Sequence, residues 1–281
     1  FLRYFIPDLP ILHFNLKPLY MRKFLFIFIA AAMNFLPLAN SAYADLSEIL
    51  KKGKVNIAVP ESFPPFGSLG ADGEHQGYDV DVAKLVAKDL GVDLELVPVT
   101  SKQRIPFLET NRVDLVISSM GANPSRAKSI NFSSAYAPFF SGAFASSDKK
   151  IKGPEDLSGY KVGITGGTLE DLEITKIAPS SAKLIRFGDN AATLSAFKSG
   201  QIDILVTGNT AAAGISAEDP NLDIQTKFII KESPCFMGVK KGNDDLLRWI
   251  NVFILHKKLG GQLNSISQKW LGQDLPPLPS L

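Results

Sequence analysis

The chain has 281 residues, 45% of them hydrophobic, which is enough to bury one large core or two smaller ones. It holds 30 basic and 28 acidic residues, and the first 44 positions hold four of the former and one of the latter. The remainder is therefore nearly neutral, which argues against nucleic acid or an anionic membrane surface as a partner. The single cysteine, Cys235, excludes an internal disulfide and a CxxC metal site, and three histidines far apart indicate no metal cluster.

Residues 21–44 are typical of a secretory signal peptide: two cations, an apolar run and a terminal Ala-Tyr-Ala. The alternative is a transmembrane anchor, but the apolar run is short and is interrupted by Asn34 and Pro37. Residues 1–20 do not begin with Met, and we interpret them as an upstream mis-translated segment. We therefore expect a soluble, periplasmic mature protein that begins near residue 45.

Strand-like and helix-like segments alternate along the mature chain in two series. The first series has predicted strands at 55–59, 94–99 and 113–118 and predicted helices at 79–90 and 103–111. The second has predicted strands at 161–164, 182–187 and 202–206 and predicted helices at 168–177, 191–198 and 209–217. This alternation predicts an α/β protein of two lobes, each a mostly parallel sheet flanked by helices.

The last segments of the chain, 236–239 and 244–270, have no sheet of their own and must pack on an existing lobe. We therefore assign residues 45–140 and 235–281 to the first lobe and residues 141–234 to the second. The chain then crosses twice between the lobes. Two such crossings form a hinge, and the cleft beside a hinge is the expected ligand site.

One turn that follows a predicted strand can bind an anion. Ser118 and Ser119 end the strand, and Asn123 and Pro124 form a helix-start signature. Free N–H groups at a helix start attract an anion, and Arg126 in the first turn can add a bidentate contact. An ordinary capped surface helix explains the same residues equally well.

A second turn, at residues 163–168, links a strand to a helix in the other series. Its glycines allow backbone amides to approach a ligand, and Thr165 and Thr168 bracket the turn with hydroxyls. The turn lacks the spacing and the lysine of a nucleotide-binding loop. One anion-binding turn in each lobe is more informative than either turn alone.

Two further loops hold candidate side chains. Phe63 and Phe66 flank a proline pair and can either form an apolar wall of the site or fill the core. Asp79 is the expected N-cap of the next helix. Ser101 and Arg104 stand at a strand-to-helix turn, where Arg104 can face either the cleft or solvent.

The sequence contains no recognisable set of catalytic residues. No GxSxG, HExxH or DxDxDG stretch occurs, and Cys235 has no histidine near it in sequence. Glu61 and Glu170 are isolated carboxylates that suit polar contacts better than an acid/base pair. We therefore predict a protein that is not an enzyme and that needs no metal or cofactor.

Six segments in this order resemble the polar amino-acid family of extracellular solute-binding proteins, family 3, which serve ABC importers. They are FPPF, GYDVDVA, TSKQRIPFL, VDLVISSMGANPSRAKSINFS, GYKVGITGGT and FKSGQIDILVTGN, and the resemblance covers residues 45–275. It implies a type II periplasmic-binding-protein fold whose lobes close on the ligand. The implied partners are an amino-acid or carboxylate ligand and a permease in the inner membrane, and we expect a monomer.

The resemblance also implies roles for individual residues. Arg126 matches the arginine that pairs with the α-carboxylate of the ligand. Ser119, the Gly121 amide and Thr168 match the hydrogen-bonding partners of the ligand, and Phe63 matches an aromatic wall. Ser101 and Arg104 match residues that hold the side-chain carboxylate in the acidic-amino-acid branch, which makes glutamate or aspartate the leading ligand.

The sequence departs from the family pattern at two positions. Gly208 stands where members commonly have an aspartate for the ligand's ammonium group, and Pro60 replaces an aspartate found in some members. A buried ammonium without an anion is costly. Glu170, Glu61 or backbone carbonyls could serve instead, or the ligand is not a standard α-amino acid.

Two other functions remain open from the sequence. The same fold resembles secreted cyclohexadienyl dehydratases, in which a carboxylate such as Glu170 would act as a general acid. A sensor module detached from its receptor is the other alternative.

Overall fold

The computed structural model describes residues 46–279, so the predicted signal peptide and the segment before it lie outside the described residues. The helices are α1 Leu46–Lys52, α2 Tyr78–Leu90, α3 Arg104–Glu109, α4 Leu169–Ile177, α5 Asn190–Lys198, α6 Asn209–Glu218, α7 Asp244–Leu259 and α8 Gln262–Leu271. The strands are β1 Lys54–Pro60, β2 Ser68–Leu69, β3 His75–Gln76, β4 Asp93–Val99, β5 Leu115–Gly121, β6 Ile130–Ala137, β7 Phe140–Ala145, β8 Lys161–Thr165, β9 Lys183–Phe187, β10 Ile204–Gly208, β11 Gln225–Glu232 and β12 Cys235–Lys240. Within residues 46–279, every helix is too short or too polar to cross a bilayer.

The strands form two five-stranded sheets, β4-β1-β5-β12-β6 and β9-β8-β10-β7-β11, and a small β2-β3 hairpin. In each large sheet the first three strands are parallel and the fourth is antiparallel to its neighbours. We call the first sheet with its helices the first lobe, and the second sheet with its helices the second lobe. The predicted α/β architecture with two helix-flanked sheets is confirmed, while the residue bounds assigned to the lobes stay a prediction.

Alternating side chains along the strands place a core on each face of each sheet. In β10, Ile204 and Val206 join the cluster beneath α4, whereas Leu205 joins the cluster beneath α5 and α6. In the first lobe, Leu115 and Ile117 face one core and Val116 faces the other. Burial on both faces explains why these strands are continuous apolar runs.

The C-terminal part of the chain contributes a strand to the first sheet and adds two helices. The segment 244–270 forms two helices, because Gly260 ends α7 and Gly261, with φ of 78°, precedes α8. β12 lies inside the first sheet between β5 and β6. The chain crosses between lobes at 138–139 and at 233–234, and the Ser233 amide donates to the Phe139 carbonyl across these crossings (3.0 Å).

The helix predicted to start at Asn123 is only a 3₁₀ turn, Arg126–Lys128. The Asn123 Oδ1 accepts from the Arg126 amide (2.8 Å), as predicted for a cap, but the chain then enters β6. A single turn has little dipole, so only the charge of Arg126 can attract an anion at this position.

Candidate functional site

A narrow cleft lies where the carboxyl ends of β5, β8 and β10 approach each other. Its cavity volume is about 20 Å³, roughly the space of one water molecule and far below the roughly 300–1,000 Å³ of small-molecule sites, so the lobes must separate before a ligand can enter. Both lobes line it, through Phe63, Ser101, Arg104, Ser119, Phe139, Thr165, Thr168, Glu170, Asn190, Val206 and Thr207. Ligands of open α/β sheets bind at this edge, beyond the carboxyl ends of the strands.

Two serine hydroxyls of the first lobe face this cleft without a partner. Ser119 and Ser101 are 7% and 8% exposed, and neither hydroxyl oxygen has a hydrogen-bond partner within residues 46–279. Ser119 also has a φ of 41°, a left-handed conformation that few residues other than glycine adopt. Unpaired buried hydroxyls and backbone strain are both typical of ligand sites.

A buried network behind the cleft holds Ser119 in place. The Tyr136 hydroxyl accepts from the Ser119 amide (3.2 Å) and donates to the Asp79 Oδ1 (2.6 Å). Burial raises the pKa of Asp79 to about 7, against the lowering effects of Tyr136 and Arg104. The prediction that Asp79 caps its helix is wrong, because Gly77 is the N-cap and the Asp79 side chain points into this network.

Arg104 is the basic residue among those that line the cleft. It begins α3, is 5% exposed, and its Nε donates to the Ser118 Oγ (3.1 Å). Burial lowers its pKa, and Glu170 and Asp79 partly offset that effect. Neither Arg104 nor Arg126 has a carboxylate oxygen within 4.0 Å among the described residues.

Arg126 lies beside the cleft and bridges the two lobes. Its Nη1 donates to the Gly121 carbonyl (2.8 Å) and its Nη2 to the Gly167 carbonyl (2.9 Å). Burial and the neighbouring Arg104 lower its pKa to about 10, so it stays charged at neutral pH. A guanidinium has five N–H donors, so these two bonds leave three for another acceptor.

Two threonines of the second lobe that were predicted for the site, Thr165 and Thr168, have hydroxyls that are already bonded. Thr168 is the N-cap of α4: its Oγ1 accepts from the Asp171 amide (3.1 Å) and donates to the Thr165 carbonyl (2.8 Å). The Thr165 hydroxyl pairs with that of Thr193 (2.7 Å). Thr168 can therefore only accept a further hydrogen bond from a ligand, unless its donor bond to Thr165 breaks.

Aromatic rings form one wall of the cleft. Phe139, in the first crossing segment, lies 6.2 Å from Phe63 and 5.9 Å from Phe66 between ring centroids. Phe66 is completely buried, so it fills the core, whereas Phe63 and Phe139 line the cleft. A methyl group at Gly208 would overlap the Phe139 ring, so this ring occupies the space of any side chain at that position.

Seven of the nine predicted site residues line the cleft: Phe63, Ser101, Arg104, Ser119, Thr165, Thr168 and Glu170. Gly121 and Arg126 lie next to it but do not line it. Four lining residues were not predicted, namely Phe139, Asn190, Val206 and Thr207. Asn190 and Thr207 stand at a helix start and a strand end, so their position on the carboxyl edge of the sheet was an available signal. Phe139 had no such signal, because its contact with Gly208 is visible only in three dimensions.

Comparison with known proteins identifies the chain. The model of bacterial extracellular solute-binding proteins, family 3, matches residues 55–273. The protein belongs to this family. A similar protein is the ABC transporter glutamine-binding protein GlnH of Bacillus subtilis, 33% identical over 234 residues, which are 82% of this chain and 85% of GlnH. The L-cystine-binding protein TcyJ of Escherichia coli is 27% identical over 82% of this chain and 87% of its own.

Solved structures of similar proteins have the same fold. An ancestral amino acid-binding protein, AncCDT-1, described as a precursor of cyclohexadienyl dehydratase, superimposes with a TM-score of 0.73 at 31% identity. The match covers 80% of this chain and 98% of that one. The predicted family and the type II periplasmic-binding-protein fold are both confirmed, and the named relatives are amino-acid-binding proteins.

Proposed function

We propose that the protein captures a polar amino acid in the cleft between its lobes and delivers it to an ABC-transporter permease in the inner membrane. In this proposal the protein is exported to the periplasm and acts as a monomer without chemical change to its ligand. The ligand's carboxylates contact Arg104 and Arg126, and glutamate or aspartate is the leading candidate. The names of GlnH, TcyJ and AncCDT-1 support an amino acid as the class of ligand.

The observation that carries this proposal is the buried arginine in a small polar cleft. Arg104 faces the cleft together with the unpaired hydroxyls of Ser101 and Ser119. A buried cation is costly unless an anion pairs with it. Arg104 also lowers the pKa of Arg126, which means that the two guanidinium charges repel each other. A ligand carboxylate beside either group would relieve both costs.

The direct test of this proposal is a thermal-shift screen of the purified protein against the twenty amino acids, cystine and small dicarboxylates. A ligand that binds only the folded protein raises the Tm by mass action. Arg126→Ala and Arg104→Ala should each weaken binding of the best ligand roughly 10- to 150-fold, since a charge-assisted contact contributes about 1.5–3 kcal/mol. Isothermal titration measures the loss.

Arg248→Ala is the matched control, because Arg248 is exposed on α7 and, within residues 46–279, pairs only with Asp245 one turn away. It should bind the best ligand as tightly as the wild type. An Arg126→Ala variant that also binds normally would remove Arg126 from the site. If no compound in the screen shifts the Tm, the proposed function is wrong.

A dehydratase activity is the second candidate, because one acidic side chain, Glu170, faces the cleft near Arg104. AncCDT-1, which superimposes on this chain, is described as a precursor of such an enzyme and supports this candidate. Incubation with arogenate or prephenate and detection of the aromatic product by its absorbance separates the two functions. If product forms with the wild type but not with Glu170→Ala, the function of the protein is catalysis rather than binding.

A further inference from the structure

We propose that Glu170 is the residue that selects for the ammonium group of the ligand, and that the cleft therefore requires a zwitterion rather than a simple carboxylic acid. This inference rests on the proposed function, because it assumes that the cleft binds an amino acid. In this inference Glu170, in the second lobe, determines specificity by binding the ammonium group of the ligand, whereas the arginines bind its carboxylates.

Glu170 is placed by the helix whose N-cap is Thr168. It lies in the first turn of α4, is 7% exposed and lines the cleft. Its carboxylate makes no hydrogen bond or ion pair with any residue in the described part of the chain. A carboxylate that is nine-tenths buried and faces a cavity needs a cationic or N–H partner there.

The other acidic groups near the cleft are less suitable. Among the residues that line it, Glu170 alone carries a carboxylate. Asp79 is fully buried behind Tyr136 and Ser119, and its Oδ1 already accepts from the Tyr136 hydroxyl. Glu61 does not line the cleft. The ammonium group of a bound amino acid therefore has one carboxylate within the lining to meet.

The opposite wall of the second lobe cannot supply an acid. Any side chain at Gly208 would overlap the Phe139 ring. Phe139 is itself fixed against Phe63 and Phe66, so its ring cannot easily move away. The wall beside Thr207 is consequently apolar, and the negative side of the cleft lies at the start of α4.

The charges of the cleft define the class of ligand. Arg104 and Arg126 offer positive charge on the side of the first lobe, and Glu170 offers negative charge on the side of the second lobe. A molecule with an ammonium group and at least one carboxylate matches this polarity. A dicarboxylate without an amine matches the arginines but is repelled by Glu170.

The test compares an amino acid with its deaminated acid in two variants. L-Glutamate and glutarate are titrated into the wild type, into Glu170→Gln and into Glu173→Gln; if another amino acid gives the largest shift in the screen, that amino acid and its deaminated acid replace them. Glu173→Gln is the control, because Glu173 lies on the same helix but pairs with Lys176 and Lys231. Circular dichroism confirms that each variant is folded.

We expect the affinity of Glu170→Gln for the amino acid to fall roughly 10- to 100-fold, as for the loss of a charge-assisted contact. Its affinity for the deaminated acid should rise, because the repelling charge is gone. Opposite changes for the two compounds cannot come from a general loss of structure. The control should keep the wild-type ratio.

Each remaining outcome of the titrations contradicts a different part of the proposal. If the wild type binds the amino acid and Glu170→Gln keeps the same preference over the deaminated acid, the role of Glu170 is wrong and the proposed function stands. If the wild type binds the deaminated acid as tightly as the amino acid, the requirement for a zwitterion is wrong. If the wild type binds no amino acid at all, the proposed function falls, and this inference with it.

Discussion

At the scale of single residues, Gly208 and Phe139 form a pair in which each restricts the other. Gly208→Ala should lower the free energy of unfolding by about 1–3 kcal/mol, because the new methyl group overlaps the Phe139 ring. In a Phe139→Ala background the same substitution should cost much less, because the ring is absent. Urea denaturation of the two single variants and the double variant gives the coupling energy between the positions.

The matched control for this pair is Gly214→Ala. Gly214 lies within α6 and has no atom within 4 Å of its added methyl group. Alanine there should leave stability unchanged or raise it by up to about 1 kcal/mol, since alanine favours a helix. Additive effects of Gly208→Ala and Phe139→Ala would show that the overlap is relieved by other movements.

Individual residues also show how much of the candidate site could be predicted from the sequence. Ser101, Arg104, Ser119, Thr165 and Thr168 could be selected from the sequence, because each stands at a turn between a strand and a helix, and such turns gather at one edge of a sheet. The sequence also identified Gly208 as a departure, but not its cause. That cause is a contact with a ring 69 positions earlier in the chain, which no local pattern encodes.

At the scale of elements, Asp79 links α2 to β5 and β6 through Tyr136. Its pKa in the folded protein is about 7, above the ordinary value near 4, because burial disfavours the charged form. The folded state therefore binds a proton between these two values that the unfolded state does not bind. This carboxyl consequently makes the protein more stable as the pH falls from 7 towards 4, and least stable above pH 7.

Asp79→Asn should remove this dependence. Between pH 5 and pH 7 the free energy of unfolding of the wild type should contain a decrease of up to about 1.4 kcal/mol per pH unit that the variant lacks. Urea denaturation at pH 5, 6, 7 and 8 measures the two slopes. Asp93→Asn, an exposed position at the start of β4, should keep the wild-type slope. Equal slopes for the wild type and Asp79→Asn would mean that Asp79 titrates as an ordinary carboxyl.

The elements themselves were predictable where one periodicity dominates. The helices α2, α4, α5 and α6 lie within a residue of the predicted bounds, because their apolar residues follow the helical period between clear start and stop signals. The strands β6, β7 and β11 were missed. Their sequences mix small, polar and aromatic residues, and two of the three form the edges of their sheets. Such strands are defined by their neighbours rather than by their own pattern.

At the scale of the whole molecule, each of the two sheets has three parallel strands followed by an antiparallel one, and both sheets present the carboxyl ends of their parallel strands to one cleft. Contacts between the lobes at this edge are close. Arg126 donates to the Gly167 carbonyl, and the side chain of Lys102 crosses Gly166 and Gly167, where no side chain could be added without displacing it. These contacts, together with the two crossing segments, join the lobes around the site.

Gly121 tests this arrangement, because it meets the second lobe at Leu169. An added methyl group would lie 2.6 Å from the Leu169 Cδ2 and also against the Ser233 hydroxyl. Gly121→Ala keeps the backbone amide but obstructs the approach of the lobes.

We expect the affinity of Gly121→Ala for the best ligand to fall roughly tenfold, the equivalent of about 1.4 kcal/mol, mainly through faster dissociation. The Tm of the ligand-free protein should fall by a few degrees, because the methyl group overlaps the Leu169 and Ser233 side chains. Stopped-flow dissociation kinetics and thermal unfolding measure the two effects, with Gly214→Ala as the control. A variant that binds and releases the ligand like the wild type would show that the bound state does not need the contact between Gly121 and Leu169.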